Sequence, residues 1–305
     1  ASLVYMISMA LHLPHDIVWR LTLGFGAVPS ASVIYLRRKV PETARFLARI
    51  AGNNKKTEEV MDRIVPGSGD KIAQDLAGET LVDTHTFGQY FRTHARAFLS
   101  AAVLWFLFDM VGYAGGLFGP SLLAKGIGLT AGTFGLVMFA AFSLPGKILA
   151  ISLIDRWGRK PLQIWGTVLS ALALFAFAIF HAEVLVLPIL GMMLYGMNTL
   201  FSSMGPGSVS TAGMFGVELA PTKVRSMVQG ITVAAGRTGA TLTTFVFPDL
   251  FKVYGESFAI IFLGTLSILA AILTAWGIPE TKDLSLEQSS REDITATPLT
   301  HEMPV

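Results

Sequence analysis

The sequence lacks cysteine and has few charged residues. With no cysteine among 305 residues, disulfide frameworks, cysteine metal ligands and thiol catalysis are excluded for this chain. Charged residues make up only 14% of the sequence, well below the roughly 25% of soluble globular domains. The formal net charge is only +2, which argues against nucleic acid as a partner. The six histidines show no metal-ligand spacing, so we expect neither a metal nor another cofactor.

The chain is rich in apolar residues. Hydrophobic residues form 52% of the chain, and a membrane-spanning helix needs about 20 mostly apolar residues in a row. Windows of this kind lie near residues 17–37, 97–119, 129–153, 161–181, 184–217, 227–248 and 257–277. The chain also begins with an apolar segment, ASLVYMISMAL, which we interpret as the remainder of one more helix. The pattern predicts an all-α, multi-pass protein that is integral to the lipid bilayer.

One long polar segment divides these windows unequally, because residues 38–95 separate the first window from six closely spaced ones. We therefore expect a six-plus-six helical bundle, of which the chain carries about two of the first six helices and all of the last six. The predicted parts are the end of an N-terminal six-helix bundle (1–37), a central loop (38–95), a C-terminal six-helix bundle (96–277) and a tail (278–305).

The basic residues predict an orientation. Eighteen of the 23 Lys and Arg residues lie in the long loop, in the short connections on the same side and in the tail, whereas three lie on the opposite side. Cytoplasmic loops of membrane proteins are enriched in Lys and Arg. We therefore expect a cytoplasmic loop and tail, with the plasma membrane as the location.

The window 97–119 contains one carboxylate, that of Asp109. Trp105, Asp109 and Tyr113 are spaced four residues apart, which places them on one helix face. At about 1.5 Å per residue, Asp109 lies roughly 18–20 Å deep, close to the membrane midplane. Ionisable groups at this depth are costly and are usually functional. The alternative is a structural aspartate bonded to neighbouring polar groups, with Trp105 and Tyr113 merely packing.

Two further windows contain polar residues at membrane depth. Arg237 lies about 15 Å along the window 227–248, at a depth comparable with that of Asp109, and its guanidinium suits a tetrahedral oxyanion. The alternative is a structural ion pair with Asp109. In the window 184–217, Pro206 between two glycines predicts a kink or break of a kind that often lines transporter sites. Asn198 in the same window is a further candidate, with interhelical hydrogen bonding as its alternative role.

Opposite charges also flank two of the predicted helices at one membrane face. The candidates are Asp155, Arg156, Arg159, Glu218 and Arg225. Such pairs can form in one conformational state and break in another, so these residues are a candidate cytoplasmic gate. The alternative is that they only anchor the orientation of the helices.

Four charged motifs carry a family resemblance. They are PETARFL at 41–47, DRWGRK at 155–160, ELAPTKVRS at 218–226 and PETKDLSLEQ at 279–288. DRWGRK resembles a cytoplasmic loop of major facilitator superfamily transporters. The other three are similar to the signatures that follow the sixth, tenth and twelfth spans in the sugar-porter and phosphate-symporter branch. Because the motifs occur in the expected order over almost the whole chain, it is identified as a member of that superfamily.

The substrate class rests on a narrower resemblance. Sugar porters have a Q-Q-x-x-G-x-N segment in the seventh span, whereas this chain has WFLFDMVGY at 105–113, which resembles the phosphate:proton symporters of fungi and plants. The resemblance implies that Trp105, Asp109 and Tyr113 line a phosphate site, and that Arg237 stands where that family has a basic residue, usually Lys. One position departs from the family, because Gly207 replaces the asparagine of its G-P-N triplet. The related glycerophosphodiester permeases share G-P-G, which keeps a larger organophosphate open.

The resemblance implies proton-coupled uptake of inorganic phosphate by alternating access, with protons as the second partner and Asp109 as the proton-coupling residue. A protonated Asp109 donates to a phosphate oxygen, whereas an ionised one repels the anion. The alternatives are symport of a glycerophosphodiester or another organophosphate anion, symport of a sugar, and a non-transporting solute receptor. We do not expect an enzyme, because no nucleophile, base and orienting group converge at one depth.

Overall fold

The computed structural model describes residues 2–38, 40–43, 46–47, 53–67, 69, 79–81, 86–119, 123–124, 127–209, 214–291 and 294–296. Almost all of the described chain is helical, as the sequence predicts. The exception is a small antiparallel sheet of two strands, β1 (Glu79–Leu81) and β2 (Ile294–Ala296), in which Thr80 lies opposite Thr295. This sheet joins the polar segment of the chain to its tail.

The helices that precede β1 are α1 (Ser2–Ala10), α2 (His15–Phe25), α3 (Ala27–Arg37) and α4 (Asn54–Ile64). The predicted window 17–37 is therefore two helices, which meet at Gly26. Asn53 caps α4, since its side chain accepts a hydrogen bond from the main-chain N–H of Lys56 at 3.1 Å. This cap gives the polar helix a defined start without any apolar burial.

A longer run of helices follows β1. They are α5 (Phe87–Gly119), α6 (Ala131–Met138), α7 (Leu144–Trp157), α8 (Arg159–Ile179), α9 (His181–Val186), α10 (Pro188–Met204), α11 (Pro206–Val209), α12 (Met214–Glu218), α13 (Arg225–Tyr254), α14 (Glu256–Gly277) and α15 (Leu286–Ser290). A π-helical turn, Phe139–Ser143, connects α6 directly to α7. Tyr5 of α1 packs against Gly132 of α6, so the N-terminal helices contact this part of the fold.

Local chemistry explains where these helices begin and end. Thr130 caps α6 by accepting from the N–H of Thr133 at 3.2 Å. Pro188 occupies the first turn of α10, where its missing N–H has no helical partner to lose. Gly158 and Gly255 have φ values of +97° and +84°, a conformation that glycine adopts without a steric penalty. These two glycines form the tight corners between α7 and α8 and between α13 and α14.

The predicted break at Pro206 is confirmed. The helix α10 ends at Met204, Gly205 leaves helical geometry with φ −97° and ψ −92°, and α11 begins at Pro206. Because proline has no N–H and its ring clashes with the preceding turn, it favours a break here, where Gly205 supplies the non-helical geometry. The apolar window 184–217 is thus a series of short helices and not one straight span.

Two glycines allow α5 and α13 to pack at backbone contact. A Cβ atom at Gly239 would overlap the carbonyl oxygen of Phe106, and one at Gly236 would overlap the indole of Trp105. Small residues of this kind are typical of closely packed membrane helices. The close approach of α5 to α13 brings the two predicted mid-membrane charges onto facing helices.

The outer surface of the bundle is apolar. Ile151, Val186 and Phe245 are among its most exposed residues, at 76%, 86% and 73%. Five helical segments of the described chain are long and apolar enough to cross a membrane, namely His15–Arg37, Phe87–Gly116, Ala131–Trp157, Arg159–Ile179 and Glu256–Gly277. The first of these after β1 begins at Phe87, ten residues before the predicted window, because the amphipathic segment ahead of it is also helical.

Candidate functional site

The three residues predicted to share one face of α5 lie at its contact with α13. Asp109 and Trp105 are buried, with 4% and 8% of their surfaces exposed, whereas Tyr113 is 39% exposed. Gly236 on α13 leaves space for the Trp105 indole, which packs against this helix one turn before Asp109. Along this face, the Trp105 indole and the Asp109 carboxylate are buried, and the Tyr113 phenol is accessible.

Arg237 reaches this face from α13. Its Nη1 atom donates to the hydroxyl of Tyr113 at 2.5 Å and lies 3.7 Å from Oδ2 of Asp109. The guanidinium carbon is 5.9 Å from the centre of the Tyr113 ring, within cation–π range. The structure thus brings together all four residues that the sequence suggested from separate helices: Trp105, Asp109, Tyr113 and Arg237.

The ion pair between Asp109 and Arg237 is incomplete. Within the described residues, Oδ2 of Asp109 is buried and has no hydrogen-bond partner, because 3.7 Å is too long for a hydrogen bond. The Arg237 side chain is 62% exposed, whereas that of Asp109 is 6% exposed. A saturated structural pair normally satisfies both partners, so this arrangement leaves guanidinium donors available to a further anion.

An open cavity of about 380 Å³ adjoins the Arg237 side chain. Its lining consists of Arg237, Thr238, Thr241, Leu242 and Phe245. The Thr241 hydroxyl donates to the Arg237 carbonyl at 2.9 Å, so it does not compete for the guanidinium. Arginine offers up to five N–H donors in a fork that matches carboxylate or phosphate oxygens. The Arg237 guanidinium therefore borders an open groove along α13 and can offer its donors to an anion there.

Asn198 is buried on α10 and lies beside a second cavity. Its Oδ1 accepts from the hydroxyl of Ser170 on α8 at 2.6 Å, which is the interhelical bond considered as the alternative from sequence. It also lines a cavity of about 300 Å³ together with Gly112 and Gly116 of α5. These glycines are three and seven residues after Asp109, hence on the same face of α5. The second cavity thus has a wall on α5 near Asp109, although its lining shares no residue with that of the cavity beside Arg237.

Gly207 lies in the first turn of α11, directly after the break. A Cβ atom at this position would be 2.8 Å from the carbonyl oxygen of Ser202 and 3.7 Å from the ring of Phe108. Real Cβ atoms essentially never approach a carbonyl oxygen this closely. The glycine is therefore required by the close approach of the broken helix ends, independently of any contact that it makes with a solute.

Three of the five candidate gate residues form one ion-pair network. Arg159 at the start of α8 contacts Asp155 of α7 at 3.0 Å and Glu218 of α12 at 3.3 Å. The other oxygen of Glu218 accepts from the hydroxyl of Thr281 in the tail at 2.5 Å. We call the end of the bundle that carries these residues the basic face. The network ties α7, α8, α12 and the tail together there.

The remaining two candidates, Arg156 and Arg225, form hydrogen bonds between a side chain and a main-chain carbonyl. Arg156 offers its carbonyl oxygen to Nζ of Lys282 at 2.9 Å. Nε of Arg225 donates to the carbonyls of Val217 and Ala220 at 3.0 and 3.1 Å. Arg225 thus holds the C-terminal end of α12, where carbonyls lack helical donors, in place.

Glu280 is a site residue that the sequence reasoning missed. Its carboxylate accepts from the main-chain N–H groups of Arg159 and Lys160 at 3.0 and 3.1 Å, so it caps the N-terminus of α8. A Cβ at Gly158 would lie 2.6 Å from the same carboxylate. The glycine of the DRWGRK motif, Gly158, and the glutamate of the PETKD motif, Glu280, therefore lie against each other at the start of α8. Because 121 residues separate Glu280 from Arg159, no local pattern could have paired them.

A polar stripe on α8 was also missed, although the sequence contained a signal for it. Gln163, Thr167 and Ser170 are buried, with 0%, 3% and 2% of their surfaces exposed. Their spacing of four and three residues places them on one face of a helix. Polar residues at helical spacing inside an apolar window indicate an interior-facing stripe. Within the described residues, no three His, Asp or Glu side chains cluster closely enough to hold a metal ion.

A bundle of apolar helices with an arginine and an aspartate at its interior defines a multi-pass integral membrane protein of the transporter type. The chain belongs to the family described as Sugar (and other) transporter, which matches residues 2–292, and its fold is that of a major facilitator superfamily transporter. The predicted superfamily and fold class are confirmed.

The chain is also similar to curated plant proteins that are named inorganic phosphate transporters. The chain is 29% identical over 296 residues to "Probable inorganic phosphate transporter 1-6" of Arabidopsis thaliana, covering 91% of this chain and 57% of that protein. It is 28% identical over 311 residues to "Low affinity inorganic phosphate transporter 1" of Petunia hybrida, again covering 91% and 57%. The chain thus spans little more than half the length of the curated relatives that it matches.

Solved structures support the fold. The proton:xylose symporter XylE bound to 6-bromo-6-deoxy-D-glucose matches with a TM-score of 0.77 at 22% identity, over 95% of this chain and 63% of that one. The inward open conformation of XylE from E. coli matches with a TM-score of 0.60 at 23% identity, over 95% and 62%. At this identity the likeness concerns the architecture alone.

Proposed function

We propose that the protein carries inorganic phosphate across the membrane, coupled to protons, by alternating access. The observation that carries the proposal is the position of Arg237, which donates to Tyr113 and lies 3.7 Å from an unpaired oxygen of Asp109. A cation, a phenol and a buried acid together can bind an anion and a proton at one place. The names of the relatives as inorganic phosphate transporters support the same substrate.

Each residue of the site has a distinct role in this proposal. Arg237 neutralises the anion and binds its oxygens through donors that face the adjoining cavity. Tyr113 positions the guanidinium and contributes its hydroxyl, and Trp105 shapes the buried end of the site. Asp109 takes up a proton from one side and releases it on the other. In its protonated form it donates to the anion, and in its ionised form it repels the anion and favours release.

The basic-face network is the proposed gate. Ion pairs among Asp155, Arg159 and Glu218 connect the ends of three helices. In the pair between Arg159 and Glu218, both side chains are partly buried. We place this face in the cytoplasm, because the long loop and tail carry most of the basic residues, and we place the protein in the plasma membrane. The pairs form when the site is closed to the cytoplasm and separate when it opens.

The proposed division of the chain follows the sequence. Residues 1–37 belong to the N-terminal six-helix bundle, 38–95 to a central loop, 96–277 to the C-terminal bundle and 278–305 to a tail. In this arrangement the exposed side of Arg237 faces the interface between the two bundles. Its 62% exposure is consistent with that position.

An organophosphate is the second candidate substrate. The cavity of about 300 Å³ beside Asn198, with Gly112 and Gly116 of α5 in its wall, offers space for a group larger than phosphate. Its polar lining is uncharged, with Ser143, Thr199 and Ser203 among its members. Such a lining suits the hydroxyl groups of a phosphate ester better than a second charge.

The experiment is uptake of radiolabelled phosphate by the complete protein in proteoliposomes with an imposed pH gradient. Accumulation above equilibrium that a protonophore abolishes is the expected result. Glycerol 3-phosphate and a glycerophosphodiester serve as competitors, and the stronger inhibitor identifies the preferred class. If none of the three is transported while the protein binds one of them, the receptor alternative replaces the transporter.

A further inference from the structure

A third cavity, small and mainly apolar, lies among the helices beside the break between α10 and α11. Gln163 of α8 is 0% exposed, and both polar atoms of its side chain, Oε1 and Nε2, have no hydrogen-bond partner among the described residues. The side chain lines a cavity enclosed by α5, α8, the α10–α11 break and α14. A buried amide with neither its donor nor its acceptor paired is rare in proteins and calls for a ligand.

The size of this cavity selects the ligand. The space open to the centre of a water molecule is about 10 Å³, and a single buried water needs about 10–15 Å³ on that measure. The cavity is therefore large enough for one water and too small for any organic group. Its polar lining, which a buried water requires, consists of Gln163, Thr167, Ser170, Ser202 and Ser267.

Three of the four hydroxyl groups of the lining are already committed as donors. Thr167 donates to the carbonyl of Gln163 at 2.8 Å, Ser170 donates to Asn198 at 2.6 Å, and Ser267 donates to the carbonyl of Leu263 at 3.2 Å. These three hydroxyls therefore present only lone pairs to the cavity. They can accept hydrogen bonds, but they cannot donate to Oε1 of Gln163. A water molecule both donates and accepts, so it complements the whole set.

A metal cation fits this lining poorly. Calcium ions are held by six to eight oxygen ligands that include carboxylates, and no carboxylate lines this cavity. An unneutralised charge inside an apolar bundle is costly. Water is the neutral ligand that satisfies the same oxygen atoms without this penalty.

The cavity lies directly against the break in the helix. Ser202 and Pro206 both line it, and Pro206 has no N–H with which to donate to the carbonyl four residues earlier, that of Ser202. At the break itself, Gly205 packs against Gly166 of α8, where an added Cβ on Gly205 would lie 2.6 Å from the Cα of Gly166. An added Cβ on Gly166 would lie 2.9 Å from Cδ of Pro206, so the start of α11 also rests on α8 through a contact that leaves no room for a larger residue.

We propose that Gln163 holds a buried water molecule that serves as an exchangeable hydrogen-bond partner for the α10–α11 break. When α11 shifts against α8, the water re-pairs with the amide and hydroxyl groups that the shift separates, so no polar group is left unpaired. Neither Arg237 nor Asp109 lines this site, whereas Val111 and Ser202 line both it and the cavity beside Asn198.

The test is hydroxyl-radical labelling of the complete protein in water enriched in oxygen-18, because a bound water delivers its oxygen to the nearest side chains. Leu266, which lines the cavity and is 9% exposed, is the reporter, and Leu269 on the same helix, 48% exposed, is the reference. In the unchanged protein we expect Leu266 to be labelled despite its burial. In Gln163→Leu, which removes the amide at similar volume, its labelling falls by about an order of magnitude relative to Leu269.

Two further measurements keep the proposal open to refutation. Ser267→Ala removes one hydroxyl of the lining and is expected to lower the Leu266 label as well, with Thr265→Ala, an exposed hydroxyl on the same helix, as the unaffected control. Gln163→Leu is also expected to unfold at an unchanged or higher temperature while its turnover falls at constant KM. An unchanged Leu266 label in both cavity variants overturns the water site. A thermal midpoint that rises with sodium over choline chloride, and only when Gln163 is present, overturns it in favour of a cation.

Discussion

Arg237 donates to the hydroxyl of Tyr113 at 2.5 Å and not to the carboxylate of Asp109, whose Oδ2 is 3.7 Å away. The phenol thus holds the guanidinium at a distance at which the ion pair stays incomplete. A tight pair would use the donors that an anion requires and would keep the acid ionised. The position of one hydroxyl therefore decides between a structural ion pair and a binding site.

Removal of that hydroxyl is expected to convert the site into the structural pair. In Tyr113→Phe, Arg237 is free to move onto Asp109, so we expect the KM for phosphate to rise about tenfold, which corresponds to ~1.4 kcal/mol. Uptake kinetics in proteoliposomes measure the change. Tyr254→Phe is the matched control, because Tyr254 is 62% exposed and stacks on Phe258 at the other end of α13. An unchanged KM in Tyr113→Phe would show that the phenol does not hold the arginine back.

Neutralisation of the buried acid separates proton coupling from phosphate binding. Asp109→Asn keeps the size of the side chain but cannot release a proton, so we expect phosphate accumulation driven by a pH gradient to be lost while phosphate–phosphate exchange persists. Counterflow and gradient-driven uptake, measured on the same vesicles, distinguish the two activities. Asp249→Asn, at the far end of the same helix pair, is the control. Retained accumulation in Asp109→Asn would remove the coupling role from this residue.

The helical content and the charged face of the site could be predicted from sequence, because both depend on periodicity within single helices. Trp105, Asp109 and Tyr113 share a face through their spacing alone, and the break at Pro206 follows from the chemistry of one residue. What could not be predicted are the contacts between helices far apart in sequence. The hydrogen bond from Arg237 to Tyr113 spans 124 positions, and its length depends on how closely the glycines of α13 allow the two helices to approach.

The basic-face network makes a prediction about conformational balance. In Glu218→Gln, Arg159 loses its partly buried ion-pair partner at 3.3 Å, so the state that is open at the basic face is favoured. Because this chain has no cysteine, one cysteine introduced at Ser203, in the wall of the cavity near Asn198, reports access from that face once any cysteine elsewhere in the complete protein is replaced. We expect faster labelling of this cysteine in Glu218→Gln than in the parent. Glu183→Gln, at the opposite end of the bundle, is the control, and equal labelling rates would leave the network with a purely structural role.

The capping of α8 by Glu280 predicts a loss of stability. Glu280→Ala removes an acceptor from the N–H groups of Arg159 and Lys160, and lost caps of this kind cost about 1–2 kcal/mol. Thermal unfolding in detergent measures the loss, and Glu280→Gln, which keeps one acceptor oxygen, is expected to lose less. Gly158→Ala is expected to be worse than either, because its φ of +97° and the nearby carboxylate both oppose a side chain. Equal midpoints for Glu280→Ala and the unchanged protein would refute the cap.

The glycine at position 207 tests the substrate class, and the structure dictates how the test must be designed. Any side chain there brings a Cβ atom to 2.8 Å from the Ser202 carbonyl, so Gly207→Asn changes the helix break as well as adding a donor. Gly207→Ala makes the same steric change without the donor and is therefore the reference. We expect both variants to transport more slowly than the parent, because the break must adjust. Relative to Gly207→Ala, Gly207→Asn is expected to favour inorganic phosphate over a glycerophosphodiester in competitive uptake. If the two variants have the same preference, the asparagine of the related symporters does not set substrate size here, and the cavity beside Gly112 and Gly116 becomes the determinant to examine.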